Sequence, residues 1–123
     1  MPGIATLRAM SSALKNRVVS STELTQDHLA TIAADKTNSF INVAKDSALE
    51  QAKRAEQMRE QGSSHPLTGV PLAHKDIFCT KGITTTCGSR MLENFVAPYD
   101  AHVVALLNQA GMVTLGKTNM DEF

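Results

Sequence analysis

Residues 100–115 read DAHVVALLNQAGMVTL, and this stretch decides the fold class. Asp100 is placed to cap a helix over residues 101–110, with Val103, Val104, Leu106 and Leu107 inward. Gly111 stops it, and Met112 to Leu115 continues as a short apolar run of strand type. Upstream, Val70 to His74 is a second buried-strand pattern. A strand, a helical crossover and a strand predict a parallel pair, because parallel strands need a long connection between them. The class is therefore α/β.

Working outward, Ile4, Leu7 and Leu14 recur at helical spacing and predict a first short helix ending near Asn16. Val19-Ser-Ser-Thr-Glu-Leu24 carries a stronger start signal. Ser20 caps, Glu23 answers three residues later, and Val19 staples against Leu24. That helix fades in the polar break Asp35–Asn38. Phe40, Ile41 and Val43 form a β-prone run. Asp46 reads as the cap of a long helix over Ser47–Gln61, whose inner stripe is Ala48, Ala52 and Ala55. Its charged face, with Lys53, Arg54, Glu56, Arg59 and Glu60, reads as solvated. Gly62 ends it, a surface loop follows, and Cys79 to Pro98 reads mostly as loop.

The 123 residues suit one modest domain, and 42 % apolar content suits a globular fold. Lys plus Arg and Asp plus Glu stand at 12 each, so no net charge grips nucleic acid or an anionic membrane. No apolar run reaches the roughly 20 residues of a bilayer span, and MPGIATLRAM lacks a signal-peptide core. Cys79 and Cys87 are too few for a disulfide framework, so a reduced, cytoplasmic setting is expected. The chain ends on GKTNMDEF without a turn or polar tail, which suggests a fragment.

Four groups of residues bear on chemistry. Lys75 ends an apolar run, with Ile77 and Phe78 close behind. Burial there would lower its pKa and make it a base; the other reading is a strand tip in water, paired with Asp76. Thr84, Thr85, Thr86 and Ser89 either line a polar pocket or form a β-prone loop edge. His74, Cys79, Cys87 and His102 match no paired zinc spacing, so no metal site is expected. Gly111 to Thr118 satisfies the phosphate-loop spacing, but Met-Val-Thr-Leu is strand rather than loop and no helix pattern follows. That reading is rejected.

Together GVPLAHKD, GITTTCGS and GKTNMDEF, in this order and spacing, resemble the N-terminal part of the amidase signature family. The resemblance covers nearly the whole chain and leans toward the glutamine-hydrolysing members that serve tRNA-dependent transamidation. It implies a mixed, partly parallel sheet covered by helices, of which residues 1–123 form the N-terminal portion of a single domain. It also implies a Ser–Ser–Lys triad in which Lys75 matches the lysine, the base that ends a proton relay and must be neutral. Both serines would lie beyond Phe123, and Ser89 matches neither. The amide would be glutamine. Ammonia would pass to a partner B subunit, where ATP and Mg act and tRNA binds, with a small C subunit joining the two. No cofactor is implied on this chain. His74 departs from the family's usual aliphatic residue before the lysine. A general amidase of the same family, or a non-catalytic structural piece, are the alternatives, and residues 1–123 alone are expected to be inactive and poorly stable.

Overall fold

A computed structural model describes residues 3–123. Helices α1 (Leu7–Lys15) and α2 (Ser21–Ala34) lead to strand β1 (Phe40–Val43), the long helix α3 (Lys45–Glu60) and strand β2 (Pro71–Lys75). A short 3-10 turn (Arg90–Leu92), helix α4 (His102–Gln109) and strand β3 (Val113–Thr118) complete the order. The sheet is mixed, in the order β1-β3-β2, with β1 antiparallel and β2 parallel to β3. The parallel pair expected from the crossover pattern is present.

The start of α2 follows its sequence signal closely. Ser20 accepts from Glu23 N at 3.1 Å, and Glu23 accepts from Ser20 N at 3.3 Å, a complete capping box. Val19 and Leu24 share one buried cluster with Ala13, Leu14 and Val70. A second cluster holds Leu29, Ala48, Ala52, Val113 and Leu115. The small residues of α3 thus let the helix lie close on β3, as the stripe implied. Gln51 of α3 also accepts from Thr114 N at 3.0 Å. The polar face of α3 is not wholly solvated: Glu56 accepts from Thr22 N at 2.8 Å, and Arg59 donates to Thr68 O at 2.9 Å.

Both expected aspartate caps are displaced. Ala44, not Asp46, precedes α3, and Asp46 lies inside its first turn. Ala101 precedes α4, while Asp100 accepts from Lys81 N at 2.7 Å and so ties the loop after β2 to the start of α4. Of the four residues expected inward on α4, only Val104 is buried; Val103 and Leu106 are exposed and Leu107 is half-buried. β3 runs on through Gly116, Lys117 and Thr118, past the expected end at Leu115. The phosphate-loop spacing therefore falls on a strand, as its rejection required.

Gly116 lets β1 reach β3. A Cβ built there would stand 2.1 Å from Asn42 O and 3.0 Å from Val43 Cα. Glycine is needed for the close approach of two backbones. Next to it, the β2–β3 register slips between Leu72 and Ala73, and the β1–β3 register slips between Phe40 and Asn42. No helix among the described residues is long and apolar enough to cross a membrane.

Candidate active site at the ends of the parallel strands

The three sequence motifs, separate along the chain, meet in one place. β2 and β3 end side by side, with Lys75 opposite Thr118 and His74 opposite Lys117. The carboxyl ends of parallel strands are where open α/β sheets place their ligands. Asp76 N donates to Thr118 O at 3.1 Å, and Cys87 N donates to Asp76 O at 3.1 Å. The loop bearing Gly88 then passes close against the last residues of the chain. A Cβ on Gly88 would meet Met120 O at 2.7 Å, and Gly88 sits at φ +69°. Phe123 N donates to Cys87 O at 2.9 Å, and Ser89 Oγ donates to Glu122 Oε1 at 2.6 Å.

At the centre of this junction lies an ion pair that the sequence reading missed. Lys117 and Asp76 are both wholly buried, with Lys117 Nζ 3.3 Å from Asp76 Oδ1. Lys117 Nζ donates to Phe78 O at 2.7 Å and to Thr85 Oγ1 at 2.9 Å. Asp76 Oδ2 accepts from both the backbone N–H and the hydroxyl of Thr86. Oδ1 takes no hydrogen bond among the described residues, so its compensation is the ammonium charge itself. Burial lowers the pKa of Lys117, opposed in the second place by the Asp76 charge.

Lys75, by contrast, is exposed. The burial anticipated for it is not supplied by the described residues. Neither is the pairing with Asp76, whose carboxylate turns to Lys117 instead. Lys75 stands at the rim of the junction, anchored through its backbone: its carbonyl accepts from Phe78 N at 3.0 Å, closing a tight turn over residues 75–78.

The hydroxyl cluster serves the interior. Thr85 and Thr86 are buried and hold the ion pair, Ser89 holds Glu122, and Thr84 pairs with Val96 across an isolated bridge. Among the described residues the four hydroxyls do not line one common pocket. His74 is buried beside the same pair, and its Nε2 has no partner among the described residues. Burial first, and the Lys117 charge second, push its imidazole below the ordinary value; Asp100 opposes them. His102, grouped with it as a possible ligand, is exposed at the start of α4.

A model of the amidase family matches residues 22–123. The chain belongs to the amidase family. This amidase-family chain is 58 % identical over 120 residues to the A subunit of the glutamyl-tRNA(Gln) amidotransferase of Pseudomonas fluorescens, across 96 % of its own length. It is 55 % identical to the same polypeptide of Aromatoleum aromaticum. It spans about a quarter of the length of these relatives. Among solved structures it resembles the native peptide amidase of Stenotrophomonas maltophilia, with a TM-score of 0.89 and 35 % identity over 96 % of the chain and 25 % of that enzyme. An amidase family protein from Bacillus anthracis gives a TM-score of 0.88 at 29 % identity, over 96 % of the chain and 24 % of that protein. The mixed sheet with its helices is thus the amidase signature arrangement.

Proposed function

We propose that this chain forms the lysine-bearing part of the glutaminase component of a tRNA-dependent amidotransferase. Lys75 is its base. The observation that carries the reading is the convergence of GVPLAHKD, GITTTCGS and GKTNMDEF at one strand-end junction with Lys75 on its rim. The identity to the amidotransferase relatives favours glutamine as the amide.

In this reading two serines outside the chain complete the triad. A serine hydroxyl is a weak nucleophile until a base accepts its proton. Lys75 takes that proton through the second serine. The first then attacks the amide carbonyl of glutamine. As the C–N bond breaks, the proton held by Lys75 returns through the relay to the leaving nitrogen and ammonia departs. Water then hydrolyses the acyl-enzyme to glutamate and the free serine. A lysine that begins positive accepts no proton, so Lys75 must be neutral at the moment of attack. Its exposure here means that the surface that desolvates it comes from outside residues 3–123. Ammonia passes to a B subunit, which uses ATP and Mg to amidate Glu-tRNA(Gln) or Asp-tRNA(Asn), with a C subunit bridging the two. The setting is cytoplasmic, and residues 1–123 alone do not turn over glutamine.

The resemblance to a peptide amidase supports a second reading, a general amidase on a small amide. One experiment separates them. The full-length protein carrying Lys75→Ala is assembled with its partners and supplied with either glutamine or ammonium. Loss of glutamine-driven transamidation with ammonium-driven transamidation kept is expected. No transamidation from either source in the wild-type assembly, with hydrolysis of simple amides intact, establishes the second reading instead.

A further inference from the structure

The turn that carries Lys75 is gripped at two points by a single ammonium group. Its four residues run from Lys75, whose carbonyl accepts at 3.0 Å, to Phe78, whose N–H donates. Lys117 Nζ binds the carbonyl of Phe78 at 2.7 Å and lies 3.3 Å from the carboxylate of Asp76, both members of that turn. Its third partner, Thr85 Oγ1, belongs to the facing loop. Asp76 reaches the same loop through Thr86. One charge therefore ties together β3, the Lys75–Phe78 turn and the threonine loop.

We propose that Lys117, acting with Asp76, is a positioning residue for Lys75: it fixes the turn from which Lys75 projects and so sets where that side chain meets its proton donor. The inference rests on the reading of Lys75 as base. Stability gives little reason for a charge at this place, because a buried ion pair is often no better than an apolar pair of equal volume. Reach and directionality give a reason. An ammonium offers three donors, and here three groups supply an acceptor or a counter-charge. An apolar side chain of the same length would fill the space but leave the Phe78 carbonyl with the Thr80 hydroxyl alone, and the turn held only by the bonds of Asp76 to Thr118, Cys87 and Thr86. Misplacement by about 1 Å of a group that handles the reacting proton costs about 100-fold in rate, so a loose turn is felt in kcat.

The test uses the full-length protein in its assembled complex. The double variant Lys117→Met/Asp76→Asn removes both charges together, so neither is left buried alone. The expected result is a melting temperature close to wild type, a kcat for glutamine hydrolysis down about 10-fold or more, and KM changed by less than about threefold. The pH–rate profile is also expected to shift its limb, since a wandering Lys75 changes its surroundings; a purely structural role leaves that limb in place. A folded double variant with wild-type kcat and an unmoved limb overturns the proposal. Thr85→Val deletes one acceptor of the ammonium with a side chain of equal size and decides the matter if the double variant does not fold. A several-fold loss in kcat with a shifted limb supports positioning, and an unchanged kcat and limb refute it. Lys75→Ala is run beside them. Full activity there fails the base assignment itself, whereas an inactive Lys75→Ala with unaffected Lys117 and Thr85 variants fails the positioning role alone.

Discussion

Two lysines illustrate how differently one residue type is used within a short span of backbone. Lys75 and Lys117 end neighbouring parallel strands one register step apart, yet one is exposed and the other wholly buried. In the sequence Lys75 stands out, because a charge closes an apolar run. Lys117 closes a similar run, MVTLGKT, but its Gly-Lys-Thr triplet points to a phosphate loop that the strand pattern rejects. The signal that finds it is a pair of charges, Asp76 after one strand and Lys117 at the end of the other. Removing one partner exposes the cost of burial. Asp76→Ala leaves an uncompensated buried ammonium and should destabilise the protein by about 3–5 kcal/mol in denaturant unfolding. His74 makes a second prediction. Its folded pKa is lowered from 6.5, chiefly by burial and then by Lys117, so the unfolded chain binds the proton more readily. Stability is then fully present above about pH 6.5 and is lost as pH falls toward the depressed value. Melting curves from pH 7.5 to 5 should show that loss, and His74→Leu should reduce it.

Elements with strong local signals are legible in the sequence. The capping box of α2, the alanine stripe of α3 and the strand–helix–strand crossover all appear where their residues place them. Legibility fails where a long-range partner takes a side chain away from its local role. Asp100 caps nothing because Lys81 N–H competes for it, and the threonine loop faces inward because a buried charge pair collects its hydroxyls. The end of β3 is hidden because Gly116 reads as a strand breaker. In the structure its missing side chain is what lets Asn42 O approach. Gly116→Ala should force β1 off β3 and cost about 3 kcal/mol or more, seen as faster amide exchange along residues 40–43.

At the scale of the molecule, the described residues form a three-stranded mixed sheet whose helical cover comes mainly from α2 and α3. β1 and β2 each keep one edge unpaired among those residues, and Ile77 and Phe78 of the turn after β2 and Val103 and Leu106 of α4 are exposed. The chain spans a quarter of its relatives, and unpaired edges and apolar faces of this kind are what neighbouring strands and helices cover. On the proposed reading of Lys75 as base, the same surroundings would desolvate it, since the described residues leave it exposed. What that lysine does when they are present is therefore decisive. The most direct measurement is the steady-state glutaminase rate of the full-length assembled enzyme with Lys75→Ala, its folding verified by its melting curve. A general base is worth about 10²- to 10⁴-fold, and a fall in kcat of that size is the predicted result. A rate within about twofold of wild type, far short of what a general base contributes, would contradict the assignment of Lys75 as base.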